Sequence, residues 1–163
     1  MCKLSTLRKS PRYGANTAAG FTLVELMVVI VVATILIVIA VPSYMNQTLK
    51  SHRTDAKTAL LDLAGREERF MSTNGIYSAL ASDLGYSALP QTLSTGDYII
   101  GAPTITAAVA PTATTSGTPA AFTITATATG TQTKDTTCMT LSVDSLGRQT
   151  STNSSSATST GCW

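Results

Sequence analysis

Gly20-Phe21-Thr22-Leu23-Val24-Glu25-Leu26, continued through Met27 to Val41 and closed by Pro42, is the stretch that decides how this chain is read. From Leu26 to Val41 it holds sixteen residues, all apolar except Thr34. Counted from Phe21 it holds twenty-one, which as a helix is about 31 Å long, close to the hydrocarbon thickness of a bilayer. One charge, Glu25, interrupts it near its start. A carboxylate placed in hydrocarbon costs on the order of 3 kcal/mol, so it calls for a partner or a function. Twenty residues precede the run, carrying Lys3, Arg8, Lys9 and Arg12 and no acid.

The order of basic leader, glycine, apolar helix with an early glutamate, then proline resembles the N-terminal signature of type IV pilins and of the related pseudopilins of type II secretion. The residues that carry the resemblance are Gly20-Phe21-Thr22-Leu23-Val24-Glu25-Leu26-Met27. It implies that a prepilin peptidase cuts between Gly20 and Phe21 and methylates the new N-terminal Phe21. It also implies that Glu25, fifth in the mature chain, contacts the N-terminal amine of a neighbouring subunit. Many pilins have glycine where this chain has Thr34.

The residues support that reading by themselves. An ordinary export signal has a basic start, an apolar core of roughly 7–15 residues and a small-residue cleavage site after the core. Here the core is longer, and Ala40-Val41-Pro42-Ser43-Tyr44 offers no such site. A simple signal-anchor is the competing reading, but it keeps its leader and has little use for Glu25. Cleavage ahead of the apolar run exposes a positive amine, and in a stack of such helices that amine can neutralise a neighbour's buried carboxylate.

At 163 residues the chain is one domain with an appended helix. Its net charge is +2, and without the four leader cations the remaining side chains carry −2. That is not the basic footprint of a dedicated nucleic-acid binder. Of the three cysteines, Cys2 leaves with the leader, so Cys138 and Cys162 are the one available pair. Export would place them where disulfides persist. The bridge closes a loop of about 25 residues, worth roughly 3 kcal/mol in the chain-entropy model, with two free thiols as the alternative. Two cysteines and one histidine make no metal site, and no cofactor is expected.

Four parts are expected along the chain. Residues 1–20 are the leader, 21–42 the membrane and assembly half of a helix, 43–74 its amphipathic half, and 75–163 a globular head. Pro42 removes a backbone hydrogen bond and clashes with the preceding turn, so a kink or local melting is expected there. Beyond it Leu49, Ala56, Ala59, Leu60, Leu63, Phe70 and Met71 recur mostly at three- and four-residue steps, an apolar stripe. Asp62, Glu67 and Glu68 read as solvation on the helix surface. Lys50, His52, Arg53 and Lys57 read as a solvated or interface-facing basic cluster, with His52 a surface residue. The helix should stop near Ser72 to Gly75.

Four strands are expected after a loop from Gly75 to about Gly96. They are Tyr98 to Val109 (an edge or bulged strand because of Gly101 and Pro103), Ala121 to Thr129, Cys138 to Val143, and a weaker one at Arg148 to Thr152. The tail from Asn153 to Thr160 is nearly all Ser, Thr and Ala, tied down by Cys162. A long helix followed by short antiparallel strands is α+β. The resemblance implies the pilin fold: a long kinked helix packed on a small antiparallel sheet, with a disulfide-closed C-terminal loop. Cys138-x-x-Leu141, Asp144-x-x-Gly147 and Cys162-Trp163, together with Ser51 to Ala64 and Glu68-Arg69-Phe70 to Tyr77, resemble minor pilins of the PilE type.

The expected function is a structural subunit of a type IV pilus, a minor pilin rather than an enzyme. Its partners are other pilin subunits, the inner membrane before assembly, the prepilin peptidase and the pilus assembly machinery, with the head periplasmic and later on the cell surface. Adhesion, twitching motility and DNA uptake are roles the resemblance implies. Alternatives are a minor pilin whose head binds DNA or a surface, a major pilin, and a type II pseudopilin. Nucleic acid is carried as a partner without a residue pattern behind it, since after Lys57 the head has only Arg66, Arg69, Lys134 and Arg148 as cations. No catalytic constellation is present in the sequence: one His, no Gly-x-Ser-x-Gly elbow and no phosphate-cradling loop.

Overall fold

The computed structural model describes residues 20–163; the expected leader, apart from Gly20, lies outside the described residues. Two compact units divide between Val41 and Pro42. One helix, α1 (Leu23–Asn74), contributes to both. The expected local melting at Pro42 is corrected, because α1 is continuous through it. A proline forfeits one helical hydrogen bond, and strong helix formers on both sides, among them Leu36, Ala40, Met45 and Gln47, carry the helix across.

In the first unit the apolar side chains have no cover. Every residue from Phe21 to Val41 is exposed. Such a helix, apolar all round and unburied, suits lipid or neighbouring helices rather than water. Thr34 removes its own polarity by donating its hydroxyl to the Ile30 carbonyl at 2.8 Å.

In the second unit α1 buries one stripe, Ala56, Leu60, Leu63 and Glu67. It stops where expected: Gly75, at φ +74°, donates its N–H to the Met71 carbonyl at 2.8 Å, a left-handed glycine stop. Segment 75–90 then leads to β1 (Gln91–Thr92), β2 (Tyr98–Ile100), β3 (Thr104–Thr106), β4 (Ala121–Ala128), a 3₁₀ turn (Gly130–Lys134), β5 (Thr140–Asp144) and β6 (Gln149–Thr152). The order across the sheet is β1-β2-β4-β5-β6, with β3 also paired to β4. All pairings are antiparallel.

The single strand expected from Tyr98 to Val109 is two strands. β2 and β3 both pair with β4, at Tyr98↔Ala128 and Thr104↔Thr123, and the interruption is Gly101-Ala102-Pro103. Proline there has no N–H for the ladder, so pairing breaks and resumes. The segment Gly130–Lys134 that follows β4 is a short 3₁₀ helix.

β4 shows the clearest logic. Phe122, Ile124, Ala126 and Ala128 are buried while Thr123, Thr125 and Thr127 face outward. The inward set meets Tyr98, Ile100, Leu141 and Val143 from neighbouring strands and Ala56, Leu60 and Leu63 from α1 in one core. From the outward set Thr125 pairs its hydroxyl with that of Ser142 on β5 at 3.0 Å, and Thr140 of β5 pairs in the same way with Thr152 of β6 at 2.6 Å. The tail runs back along β6: Thr152 bridges Thr158, and Ser159 donates its N–H to the Ser151 carbonyl at 2.9 Å.

Candidate functional site

Four places collect the residues with chemistry to offer, and the first is the start of the apolar helix. Gly20 is exposed and Phe21 is 82% exposed, so the bond between them is sterically open. Thr22 sits just ahead of α1 and caps it. Its hydroxyl accepts the Glu25 N–H at 3.2 Å and its carbonyl accepts the Leu26 N–H at 3.2 Å. Thr22-Leu-Val-Glu25 therefore has the spacing of a capping box, a signal already present in the sequence. Glu25 lies in the first turn of α1, at the positive end of the helix dipole.

The second place is the base of the head. The basic cluster expected to face solvent or a partner is split by the structure. Arg53 turns inward and donates Nε and Nη2 to the two oxygens of Asp135, at 2.6 and 2.8 Å. His52 also turns inward, with Nδ1 3.2 Å from Gln132 Oε1 and 3.2 Å from Asp97 Oδ2. Both neighbours are acceptors, so Nδ1 carries the proton. The surface reading of these two residues is corrected. The organiser is Gln132, fully buried, whose amide nitrogen lies within 3.3 Å of the Leu49 carbonyl, Asp135 Oδ2 and the Tyr98 hydroxyl. The Tyr98 hydroxyl donates to the Cys138 carbonyl at 3.1 Å, and burial pushes its pKa up to about 12. This network ties α1, the 3₁₀ turn and β2 together. Lys50 remains exposed.

The third place is where segment 75–90 crosses α1. Glu67, expected on the surface, is fully buried, which corrects that reading. Its Oε2 accepts the Ser78 N–H at 3.2 Å, while Oε1 has no protein partner. Desolvation raises its pKa, with the charges of Glu68 and Asp83 adding to the effect. The surrounding clasp is polar: Tyr77 donates to Glu68 at 3.0 Å, Tyr86 donates to Asp62 at 2.9 Å, and Arg66 donates to the Leu84 carbonyl at 3.0 Å. The Tyr86 hydrogen bond first, and the Arg66 charge with it, holds the Asp62 carboxyl below its ordinary range. Glu67 continues the spacing 56, 60, 63, 67, so periodicity alone could have flagged it.

The fourth place is the C-terminal loop. Cys138 and Cys162 form a disulfide, and both are buried. Trp163 donates its indole N–H to the Thr150 carbonyl at 2.7 Å, pinning the last residue to β6. Among the described residues no group of three or more His, Cys, Asp or Glu is placed to hold a metal ion.

Comparison with known proteins adds the following. Residues 42–142 match the family described as "Type IV minor pilin ComP, DNA uptake sequence receptor", and residues 15–41 match "Prokaryotic N-terminal methylation motif". A curated relative, "Type IV major pilin protein PilA" of Myxococcus xanthus (strain DK1622), is 37% identical over 68 residues, which is 42% of this chain. The chain thus spans only 31% of that relative's length. Among solved structures, "High-Resolution Structure of a Type IV Pilin from Shewanella oneidensis" is 27% identical, with 71% of this chain and 97% of that one covered and a TM-score of 0.44.

Proposed function

Because the chain belongs to the type IV minor pilin ComP family and carries the N-terminal methylation motif, we propose that it is a minor subunit of a type IV pilus. It waits in the inner membrane with its head periplasmic, is cut between Gly20 and Phe21 and methylated on Phe21, and enters the fibre through its N-terminal helix. Glu25 gives register by pairing with a neighbour's amine. The observation that carries this reading is the uncovered apolar run from Phe21 to Val41 in a chain whose head closes a core of its own. A side chain such as Leu or Ile gains about 1.5–3 kcal/mol when taken out of water, so a run of this length must be covered by lipid or by other helices. The role is structural: binding and assembly, not catalysis.

A second reading has a specific observation behind it, the description of the matched family as a DNA uptake sequence receptor. In this reading the head captures DNA at the cell surface. The head cations are few. Arg66 and Arg148 are already paired with Asp62 and Asp144, at 2.8 and 2.7 Å. Lys50, Lys57, Arg69 and Lys134 have no salt bridge among the described residues and are the charges left for phosphates.

The test is intact and N-terminal peptide mass spectrometry on sheared surface filaments. A peptide beginning at N-methyl-Phe21, scarce beside another pilin, is expected; the same peptide as the dominant species would make this the major subunit. Full-length protein found only in membranes, still bearing its leader, would overturn the pilus assignment. Duplex binding by the purified protein, measured across a salt series, tests the second reading.

A further inference from the structure

Glu67 is fully buried where segment 75–90 crosses α1, and its surroundings do not suit a charge. Oε2 accepts one N–H, that of Ser78, and Oε1 has no protein partner. An ionised carboxylate offers about four lone-pair sites, so a buried one served by a single donor is costly. Among the described residues Glu67 has no salt bridge. The groups that face it are Glu68 from α1, and Asp83 and the Tyr77 phenol from the segment. On the sheet side Tyr77 meets only a ring, that of Phe122, edge-on at 4.9 Å. The neighbouring cation, Arg66, is committed elsewhere, with Nε on Asp62 at 2.8 Å and Nη1 on the Leu84 carbonyl at 3.0 Å.

The chain that covers Glu67 is lightly held. Gly75 and Gly85, both at φ +74°, bound the stretch from Ile76 to Leu84. Within it Leu84 is the one buried apolar side chain, while Ile76 and Leu80 are 62% and 63% exposed. An open hollow of about 310 Å³, lined in part by Arg66, Arg69, Phe70, Asp83 and Leu84, lies between the stretch and α1. The remaining hold is polar: Tyr77 on Glu68, Ser78 on Glu67, and the Ser78 hydroxyl turned onto Asp83 at 2.6 Å. A stretch with so few buried apolar contacts opens locally more readily than the core. We propose that residues 76–84 form a pH-gated latch, closed over α1 while Glu67 carries a proton and released when that proton leaves. A neutral carboxyl tolerates the dry site, whereas a carboxylate gains by admitting water. Closure is therefore favoured at low pH and is lost as pH rises from the ordinary carboxyl range through the raised value of Glu67. The other hydrogen-bonding groups of the clasp hold steady in that window. The Tyr86 hydrogen bond keeps the Asp62 carboxyl below its ordinary range, and burial keeps the Tyr77 and Tyr86 hydroxyls above theirs.

The experiment is hydrogen–deuterium exchange on the full-length chain in detergent micelles from about pH 5 to pH 8, with each amide corrected for its intrinsic rate. In the parent, protection at Ser78, Leu80 and Leu84 should fall by up to about tenfold per pH unit until Glu67 is ionised, while β4 keeps its protection. Glu67→Gln has no proton to lose and should hold the protection of residues 76–84 level across the range. Tyr77→Phe, which removes the hydrogen bond to Glu68 and leaves Glu67 in place, should lower protection at every pH and keep the parent's slope. A flat profile in the parent, or a slope that survives in Glu67→Gln, would overturn the latch. So would a slope that disappears with the Tyr77 hydroxyl, which would assign the titration to another group. Loss of β4 protection in step with residues 76–84 would mean that the whole head unfolds, and would overturn it as well.

Discussion

The two halves of α1 are built from the same backbone and solve opposite problems. Apart from Glu25 and Thr34, residues 23–41 are apolar on every side, and they expose every side chain. Residues 42–74 bury only Ala56, Leu60, Leu63 and Glu67 and leave Asp55, Thr58, Asp62 and Glu68 to solvent. The first half has no protein core and needs an environment; the second carries its environment with it. Helix propensity cannot account for the difference, since both halves are helical. What separates them is the width of the apolar face, all round in one and a stripe in the other.

The comparison can be broken by mutation. Leu60→Ala should destabilise the head by about 2–5 kcal/mol, because it opens a cavity in a closed core, whereas Leu36→Ala should leave head unfolding unchanged. Denaturant melts followed by near-ultraviolet circular dichroism would show this, and equal effects would dissolve the distinction. Cys162→Ser should cost about 3 kcal/mol and make the head protease-sensitive; a variant as resistant as the parent would mean that the tail is held by Trp163 and the β6 contacts alone.

Glu67→Gln tests the buried stripe from inside. A carboxyl whose folded-state pKa is raised favours folding most at low pH, and that contribution is lost as pH rises through the raised value. The variant should therefore be more stable than the parent by about 1 kcal/mol at pH 7, with the gain disappearing near pH 4. A gain that persists at pH 4 would show that packing, not charge, is responsible. The smallest effect on the head is expected from Glu25→Ala, whose melting should match the parent while its incorporation into filaments falls. Normal incorporation would remove Glu25 from the assembly mechanism.

Much of this architecture could be read from residue order. The apolar run, the helix stop at Asn74-Gly75, the alternation of β4 and the Cys138–Cys162 pair each depend on local pattern or simple elimination. The misreadings share one cause. For His52, Arg53 and Glu67 the sequence points outward because charged residues rarely lie buried alone, yet their partners, Asp97, Gln132, Asp135 and Ser78, arrive from elsewhere in the chain. Arg53 and Asp135 are 82 residues apart. Pairings at that distance leave no periodic trace. Glu67 does leave one, through its place in the stripe, although its polarity argues for the surface.

The tail along β6 also has a consequence for the edge of the sheet. An open strand edge offers a row of unpaired N–H and C=O groups on which another chain can add, the usual beginning of aggregation. Here Ser151 and Thr152 are occupied by Ser159 and Thr158 of the same chain. The covering segment, Ser154 to Thr160, is made of Ser, Thr, Ala and nothing larger. It satisfies the edge and brings no sticky surface of its own. A low-complexity stretch that looks like filler in the sequence is, at this position, a guard against uncontrolled sheet growth.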